Sequence, residues 1–231
     1  MRYKDLPKVP FVYQPAKGLP GLMAIPVSEL IDNSEAVVKW QKNDGDNTLG
    51  IDYPLNSASV VFDVGGYLGD WSARIIKRYD PFVFIFEPVK SFYEALVERF
   101  SENSKVRIFN FGLSSESGFS LIGKNKDGSS LYRDSITKEI VELRNIETFV
   151  WESGVSAIDL ISLNCEGEEY LLLLKMLDSG IIRSFHNIQV QFHIDHPNAA
   201  RLRDEIRWWL ENTHDEVYNY PFVWESWKIR K

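Results

Sequence analysis

From residue 58 onward the chain alternates between two kinds of apolar pattern. Val60-Val61-Phe62-Asp63-Val64 is a nearly unbroken β-branched and aromatic run, as expected of a strand buried on both faces. Trp71, Ile75, Ile76 and Tyr79 follow at helical spacing, and Phe82–Phe86 reads as a second strand. Phe92, Leu96 and Phe100 mark another amphipathic helix, and residues 106–111 a third strand. A polar, glycine-containing stretch around 114–130 separates these from a fourth strand at 158–163. A helix over 168–177 then stops at Ser179-Gly180, with the glycine placed as a C′ cap. Residues 188–194 predict a fifth strand, and Leu202, Ile206, Trp209 and Leu210 a further helix. The tail from 217 to 229, interrupted at Pro221, reads as a closing pair of strands.

Strands and helices in alternation predict a parallel α/β sheet with right-handed crossovers and helices on both faces. The last two strands are separated only by a turn, so they form an antiparallel hairpin at one edge. Residues 1–57 break the pattern. Pro7, Pro10, Pro15, Pro20 and Pro26 are too closely spaced for regular structure. A helix over 28–41 follows, with Ser28 as its N-cap and Leu30, Ile31, Val37, Val38 and Trp40 as its apolar face, before a turn cluster at 43–47. We read 1–57 as a lid or an oligomerisation arm and 58–231 as the domain it packs on.

Composition narrows the classes. With 44% hydrophobic and 26% charged residues, the 231-residue chain is of ordinary globular type. Lys and Arg number 26 against 33 Asp and Glu, a net charge of −7, and no basic block occurs; both oppose nucleic-acid binding. Apolar runs such as 170–174 are far short of the roughly 20 residues that span a bilayer. Residues 1–5 lack the apolar core of a signal peptide, and the single Cys165 permits no internal disulfide, so the expected setting is the reducing cytoplasm.

The chemistry concentrates at strand ends, where doubly wound sheets bind their ligands. The first strand leads into Asp63-Val64-Gly65-Gly66-Tyr67-Leu68-Gly69-Asp70, a loop whose glycines permit a sharp turn and close backbone approach. A dinucleotide fingerprint needs G-x-G-x-x-G, but Val64 occupies the first glycine position. That failure leaves a nicotinamide-dependent oxidoreductase as a minor reading. An acid at the strand end repels a pyrophosphate and suits a ligand carrying an ammonium and a sulfonium. The second strand ends in Glu87-Pro88, with Glu87 18 residues after Gly69, where a carboxylate accepts hydrogen bonds from ribose hydroxyls. Loop and acid together imply S-adenosylmethionine.

These residues, with Asn110-Phe111-Gly112-Leu113, Ser129-Ser130-Leu131, the 141–149 stretch and above all Ile158-Asp159-Leu160-Ile161-Ser162-Leu163-Asn164-Cys165-Glu166-Gly167-Glu168-Glu169, resemble the FkbM-type methyltransferases over about 60–194. Asp159, Glu166, Gly167 and Glu169 match the family's last motif; Ser162 stands where it usually has Lys, and Asn164 where it usually has Asp. The resemblance implies a Rossmann-like, doubly wound seven-stranded sheet, mostly parallel with an antiparallel C-terminal edge hairpin. It implies S-adenosylmethionine as cofactor, held by Asp63, Gly65, Gly66, Tyr67, Gly69, Asp70, Glu87, Pro88, Gly112 and Asn164. It also implies methyl transfer to hydroxyl oxygens, often on surface sugars or small molecules.

A sugar hydroxyl needs a general base, worth typically about 10²–10⁴-fold in rate. His193, expected to end the fifth strand beside the cleft, is the first candidate because imidazole titrates near neutrality; Glu166 is the second. Asn164 can hold the methionine amino group or the acceptor. Glu169 is either a binding residue or a carboxylate favoured in a first helical turn. Glu166, His193, Asp195 and His196 could together suit a divalent cation, though their spacing carries no diagnostic ligand pattern, and we assign no metal. Residues 123–134 and the N-terminal arm are expected to cover a small-molecule or glycan acceptor. The Ser162 and Asn164 departures keep open a catalytically weak cofactor-binding partner in a glycan-assembly complex.

Overall fold

The computed structural model describes residues 31–125, 128–130, 137–196 and 198–230. The N-terminal prolines, Ser28 and the Tyr132-Arg133 portion of the 123–134 segment lie outside them.

The main sheet has seven strands: β1 (Val60–Val64), β2 (Phe82–Phe86), β3 (Val106–Phe109), β8 (Leu160–Leu163), β9 (Asn187–Val190), β10 (His214–Tyr220) and β11 (Trp224–Ile229). Their order is β10-β11-β9-β8-β1-β2-β3. β3, β2, β1, β8 and β9 are parallel neighbours, while β11 runs antiparallel to both β9 and β10. This is the expected doubly wound sheet with its antiparallel edge hairpin.

Alternation along the central strands divides the core in two. Val61, Val83, Ile85 and Leu160 face Ile75 of α2 (Asp70–Tyr79), Leu96 of α3 (Lys90–Arg99), and Ile51, Tyr53 and Leu55 from the segment before β1. On the other face Phe62 and Phe86 stack with Phe149 of α4 (Ile146–Ser153), and Phe62 meets Phe185. Edge-to-face geometry predominates there, worth about 0.5–1.5 kcal/mol per pair beyond area burial. Helix α5 (Glu169–Ser179) ends on Gly180 in the left-handed conformation, as its sequence predicts.

Three expectations need correction. The stretch around 114–130 is not merely a connection: β4 (Gly112–Ser114), β5 (Gly118–Asn125), β6 (Gly128–Ser130) and β7 (Thr137–Asn145) build a second, four-stranded sheet in the order β4-β7-β5-β6. The third strand stops at Phe109, because the chain crosses to this sheet at Gly112. The fifth strand stops at Val190, so His193 lies on an irregular segment beyond it. The small sheet turns Ile122 and Val141 inward onto Val89, with Leu143 and Phe92 packed beside them.

Residues 32–57 carry α1 (Ser34–Lys42), whose Trp40 packs against Tyr218 and Tyr220 of the edge strand. Tyr53 hydroxyl meets Tyr218 hydroxyl at 3.1 Å and donates to Ser226 Oγ at 3.2 Å. Trp71 Nε1 donates to Gly50 carbonyl at 2.9 Å. Helix α6 (Ala199–Leu210) is pinned to the terminal hairpin by Arg203 and Arg207, which both engage the buried Glu225. Among the described residues, no helix is long and apolar enough to cross a membrane.

Candidate functional site

The site begins where β1 ends. Gly65 has φ +89°, and a Cβ there would stand 1.9 Å from the Asn164 carbonyl oxygen, so only glycine lets these two strand ends close. Its N–H and that of Gly66 both donate to Phe86 carbonyl, binding the loop to the end of β2. Gly69, also left-handed, starts α2.

Glu87 follows β2 and is almost wholly buried. Its Oε2 accepts the Tyr67 N–H at 2.9 Å, and its Oε1 accepts the Val89 N–H at 2.8 Å. Each oxygen keeps a lone pair, so the anchored carboxylate can accept from two adjacent hydroxyls. Burial outweighs these two hydrogen bonds and raises its pKa to about 7. Asn110 Nδ2 donates to the Glu87 and Pro88 carbonyls at 3.1 Å, fixing the backbone behind the acid. The strand-end Asn–Phe–Gly motif held this residue; its bracing role needs the fold.

Glu87, Pro88, Tyr67, Gly65 and Gly112 line one cavity of about 860 Å³, mouth included, whose remaining walls include Phe92, Leu113, Ile122 and Leu143. The small sheet thus supplies an apolar wall that the sequence did not disclose. Gly112 is packed so closely that a Cβ would stand 2.9 Å from Leu143 Cδ2. A second cavity of about 620 Å³, mouth included, is lined by Asp63, Gly66, Gly69, Asp70, Ser162 and Asn164, among others. Gly65, Tyr67 and Asn164 line both. Asp63 is buried and accepts from Ser72 Oγ at 2.6 Å; burial raises its pKa to about 6. Asp70 is exposed and ion-paired with Arg99 at 2.6 Å.

Asn164 continues β8, its N–H donating to Val64 carbonyl. Two residues on, Glu166 takes φ +55° and lines the first cavity. Behind it stands His193, buried between two carboxylates. Glu169 Oε1 accepts the His193 N–H at 2.8 Å and lies 3.0 Å from Nδ1, while Glu166 Oε1 lies 3.5 Å from Nε2. The Tyr170 hydroxyl donates to His193 carbonyl at 2.8 Å. Burial pulls the imidazole pKa down, but hydrogen bonds and charge from Glu166 and Glu169 prevail and raise it to about 10. With its pKa raised to about 10, the ring holds a proton at neutral pH and faces both carboxylates as a donor. Glu169, the first residue of α5 and fully buried, is the member whose role the sequence left undecided. His196 packs its ring against that of Tyr170, the centroids 4.6 Å apart. Among the described residues no group of three or more His, Cys, Asp or Glu is arranged to hold a metal ion.

A doubly wound sheet with an acid-led glycine loop, a ribose-competent glutamate and a two-lobed cleft defines an S-adenosylmethionine-dependent methyltransferase, and the anchored Glu87 lone pairs and the tight Gly65 crossing fit that cofactor. The model of the methyltransferase FkbM domain matches residues 63–220, and the chain belongs to this family. No curated protein matches the chain. Among solved structures it is similar to the fibrillarin pre-rRNA processing protein of Methanococcus jannaschii (11% identity, TM-score 0.48, 77% of this chain and 69% of that one). It is also similar to M. capricolum TrmK in complex with S-adenosylhomocysteine (11% identity, TM-score 0.45, 82% of this chain and 68% of that one).

Proposed function

We propose that this methyltransferase acts on a hydroxyl oxygen, on a sugar of a surface glycan or its precursor. The observation that carries the oxygen acceptor is the Glu166–His193–Glu169 trio at the edge of the cleft, because a hydroxyl must lose a proton as it is methylated. When bound, S-adenosylmethionine supplies an electrophilic methyl on a sulfonium. Glu87 would hold its ribose, Pro88 and Gly112 the nucleoside lobe, and Gly65, Tyr67 and Asn164 the junction where the two lobes meet.

Glu166 is the member of the trio that lines the cavity, so its carboxylate is the atom group placed to take the acceptor's proton. His193 and Glu169 act behind it as positioning residues: the imidazolium fixes the Glu166 carboxylate, and Glu169 fixes the imidazolium. Two carboxylates and one imidazolium carry a net charge of −1, which becomes zero once the proton arrives. That change matches the positive charge lost in methyl transfer, so no net charge is created in a buried site. Holding acceptor and donor in line contributes on the order of 7–11 kcal/mol, the larger share of the barrier reduction.

A net charge of −7 supports a small-molecule or glycan acceptor over a nucleic acid. The lid reading of the N-terminal arm draws support from Asp46 and Gly50, which line the second cavity. The test is a screen of sugar nucleotides and oligosaccharides for radiolabelled methyl incorporation. Incorporation at a hydroxyl is expected; incorporation only at nitrogen or carbon acceptors would sink the assignment. A second reading is favoured by Asn164, a neutral side chain where the family usually has a carboxylate: a cofactor-binding partner of weak activity in a glycan-assembly complex. Tight cofactor binding with no turnover across the whole panel would favour it.

A further inference from the structure

An antiparallel sheet with one face on the core normally turns polar residues to water on the other. The small sheet does not. β5 and β7 pair with Leu121 opposite Ile140, Phe119 opposite Glu142 and Gly123 opposite Lys138, so Phe119, Leu121, Lys138, Ile140 and Glu142 stand on one face. The alternate positions Ile122 and Val141 are buried against Val89, which makes that face the outer one. There Phe119 is 78% exposed, Ile140 70% and Leu121 54%. Leu121 and Ile140 are directly paired, and Phe119 follows Leu121 along the same face of β5, so the three form one contiguous strip. Single exposed apolar residues are ordinary, whereas a contiguous group rimmed by charge marks a surface that meets another.

The charges beside the strip specify what covers it. On β7 the basic Lys138 stands two residues before Ile140 and the acidic Glu142 two residues after it. Opposite charges at equal distances from a central apolar residue are complementary to the same pattern reversed. A two-fold axis lying between two copies, across the strands and over Ile140, sets Ile140 on Ile140 and Leu121 on Leu121. The same axis sets each Lys138 against the Glu142 of the other copy. Each charge is about 6.7 Å from that axis, so the roughly 30° crossing of aligned sheets displaces the pair by only about 3.5 Å, within a lysine's reach. Glu142 also accepts from Arg144 Nε at 2.7 Å, and a carboxylate accommodates both donors. We infer that the outer face of the small sheet is an isologous interface with a second copy of this chain. An anionic membrane surface fits less well, because the chain itself carries a net charge of −7. The strip is small against the roughly 800 Å² per partner of a standard interface, so the dissociation constant is expected on the order of 10 µM. On the inner face of the same two strands, Ile122 and Leu143 line the first cavity, so the dimer contact backs directly onto that wall.

The experiment is analytical ultracentrifugation of the full chain from about 1 to about 200 µM, where a single monomer–dimer equilibrium is expected. Ile140→Lys, which sets two ammonium groups together on the axis, weakens association at least about a hundredfold. Leu121→Lys has the same effect from the neighbouring strand. Lys138→Glu and Glu142→Lys each weaken it about tenfold, and the two together return it to within about threefold of the wild type. All four positions lie on the outer face, so the variants keep the wild-type melting temperature, which separates lost association from lost folding. A wild type that stays monomeric throughout, whether the face is covered by another part of the chain or left to water, would overturn the inference. So would association untouched by Ile140→Lys and Leu121→Lys, or a double charge exchange no better than the single ones. Assembly beyond two copies would overturn it as well, because an isologous contact closes at the dimer.

Discussion

Glu169 Oε1 accepts twice from a single residue, from the backbone N–H of His193 at 2.8 Å and from its ring Nδ1 at 3.0 Å. The two bonds fix the position and the ring orientation of a side chain 24 positions further along the chain. In Glu169→Gln the second carboxylate is gone, and the imidazole should titrate well below its present value of about 10. A nuclear magnetic resonance titration of the His193 ring would show it; an unchanged titration would mean that Glu166 alone holds the proton.

His193→Ala should lower kcat by at least about a hundredfold, within the usual range for acid–base machinery. Affinity for S-adenosylhomocysteine should stay nearly the same, because His193 lines neither cavity. His193→Lys, which restores a cation behind Glu166, should recover part of the loss. A role limited to packing would predict no such recovery.

The raised His193 pKa also has a sign in stability. The folded state holds a proton between about 6.5 and 10 that the unfolded chain releases. The stabilisation is therefore complete below pH 6.5 and is lost as pH rises through 10. Thermal melting from pH 7 to 10 should show a decline that is shallower in His193→Gln. Equal slopes in the two proteins would contradict the charged trio.

Gly65→Ala should abolish cofactor binding. Its Cβ would meet the Asn164 carbonyl at 1.9 Å, and its φ of +89° is hostile to any side chain. A destabilisation of about 2 kcal/mol or more is expected from such a position. Binding of S-adenosylhomocysteine at wild-type affinity would show that the strand ends can part.

At the far edge of the sheet, Glu225→Ala should cost about 3 kcal/mol, because the buried Arg203 loses its carboxylate partner while Arg207 keeps Glu216. The loss should appear as a lower melting temperature, with KM for the cofactor unchanged in protein that remains folded.

The cofactor loop and Glu87 were legible because each is local: a glycine pattern and an acid at the end of an apolar run. The second sheet was not. In β5, Phe119 and Leu121 stand exposed while Ile122 is buried, and in β7 Ile140 is exposed while Val141 is buried. Apolar residues thus sit on both faces of the small sheet, and the period-2 signal cancels. β4 has only three residues, too few for any pattern. The trio escaped for a different reason: Glu169 meets His193 only because α5 starts where the segment after β9 passes. Gln189 reads in sequence as one polar residue in an apolar strand, and only the register with Ser162 and Asp63 reveals a polar row.

The segment from Asp46 to Gly50 carries a consequence for how this protein is cut and recombined. It lines the second cavity together with Asp63, Ser162 and Gln189, and Trp71 ties it there through the Gly50 carbonyl. A fragment beginning at residue 58 would retain every strand of the sheet and every residue that lines the first cavity, yet its second cavity would stand open to water. Swapping the N-terminal segment between relatives would then reshape that cavity without touching a residue of the methyltransferase motif.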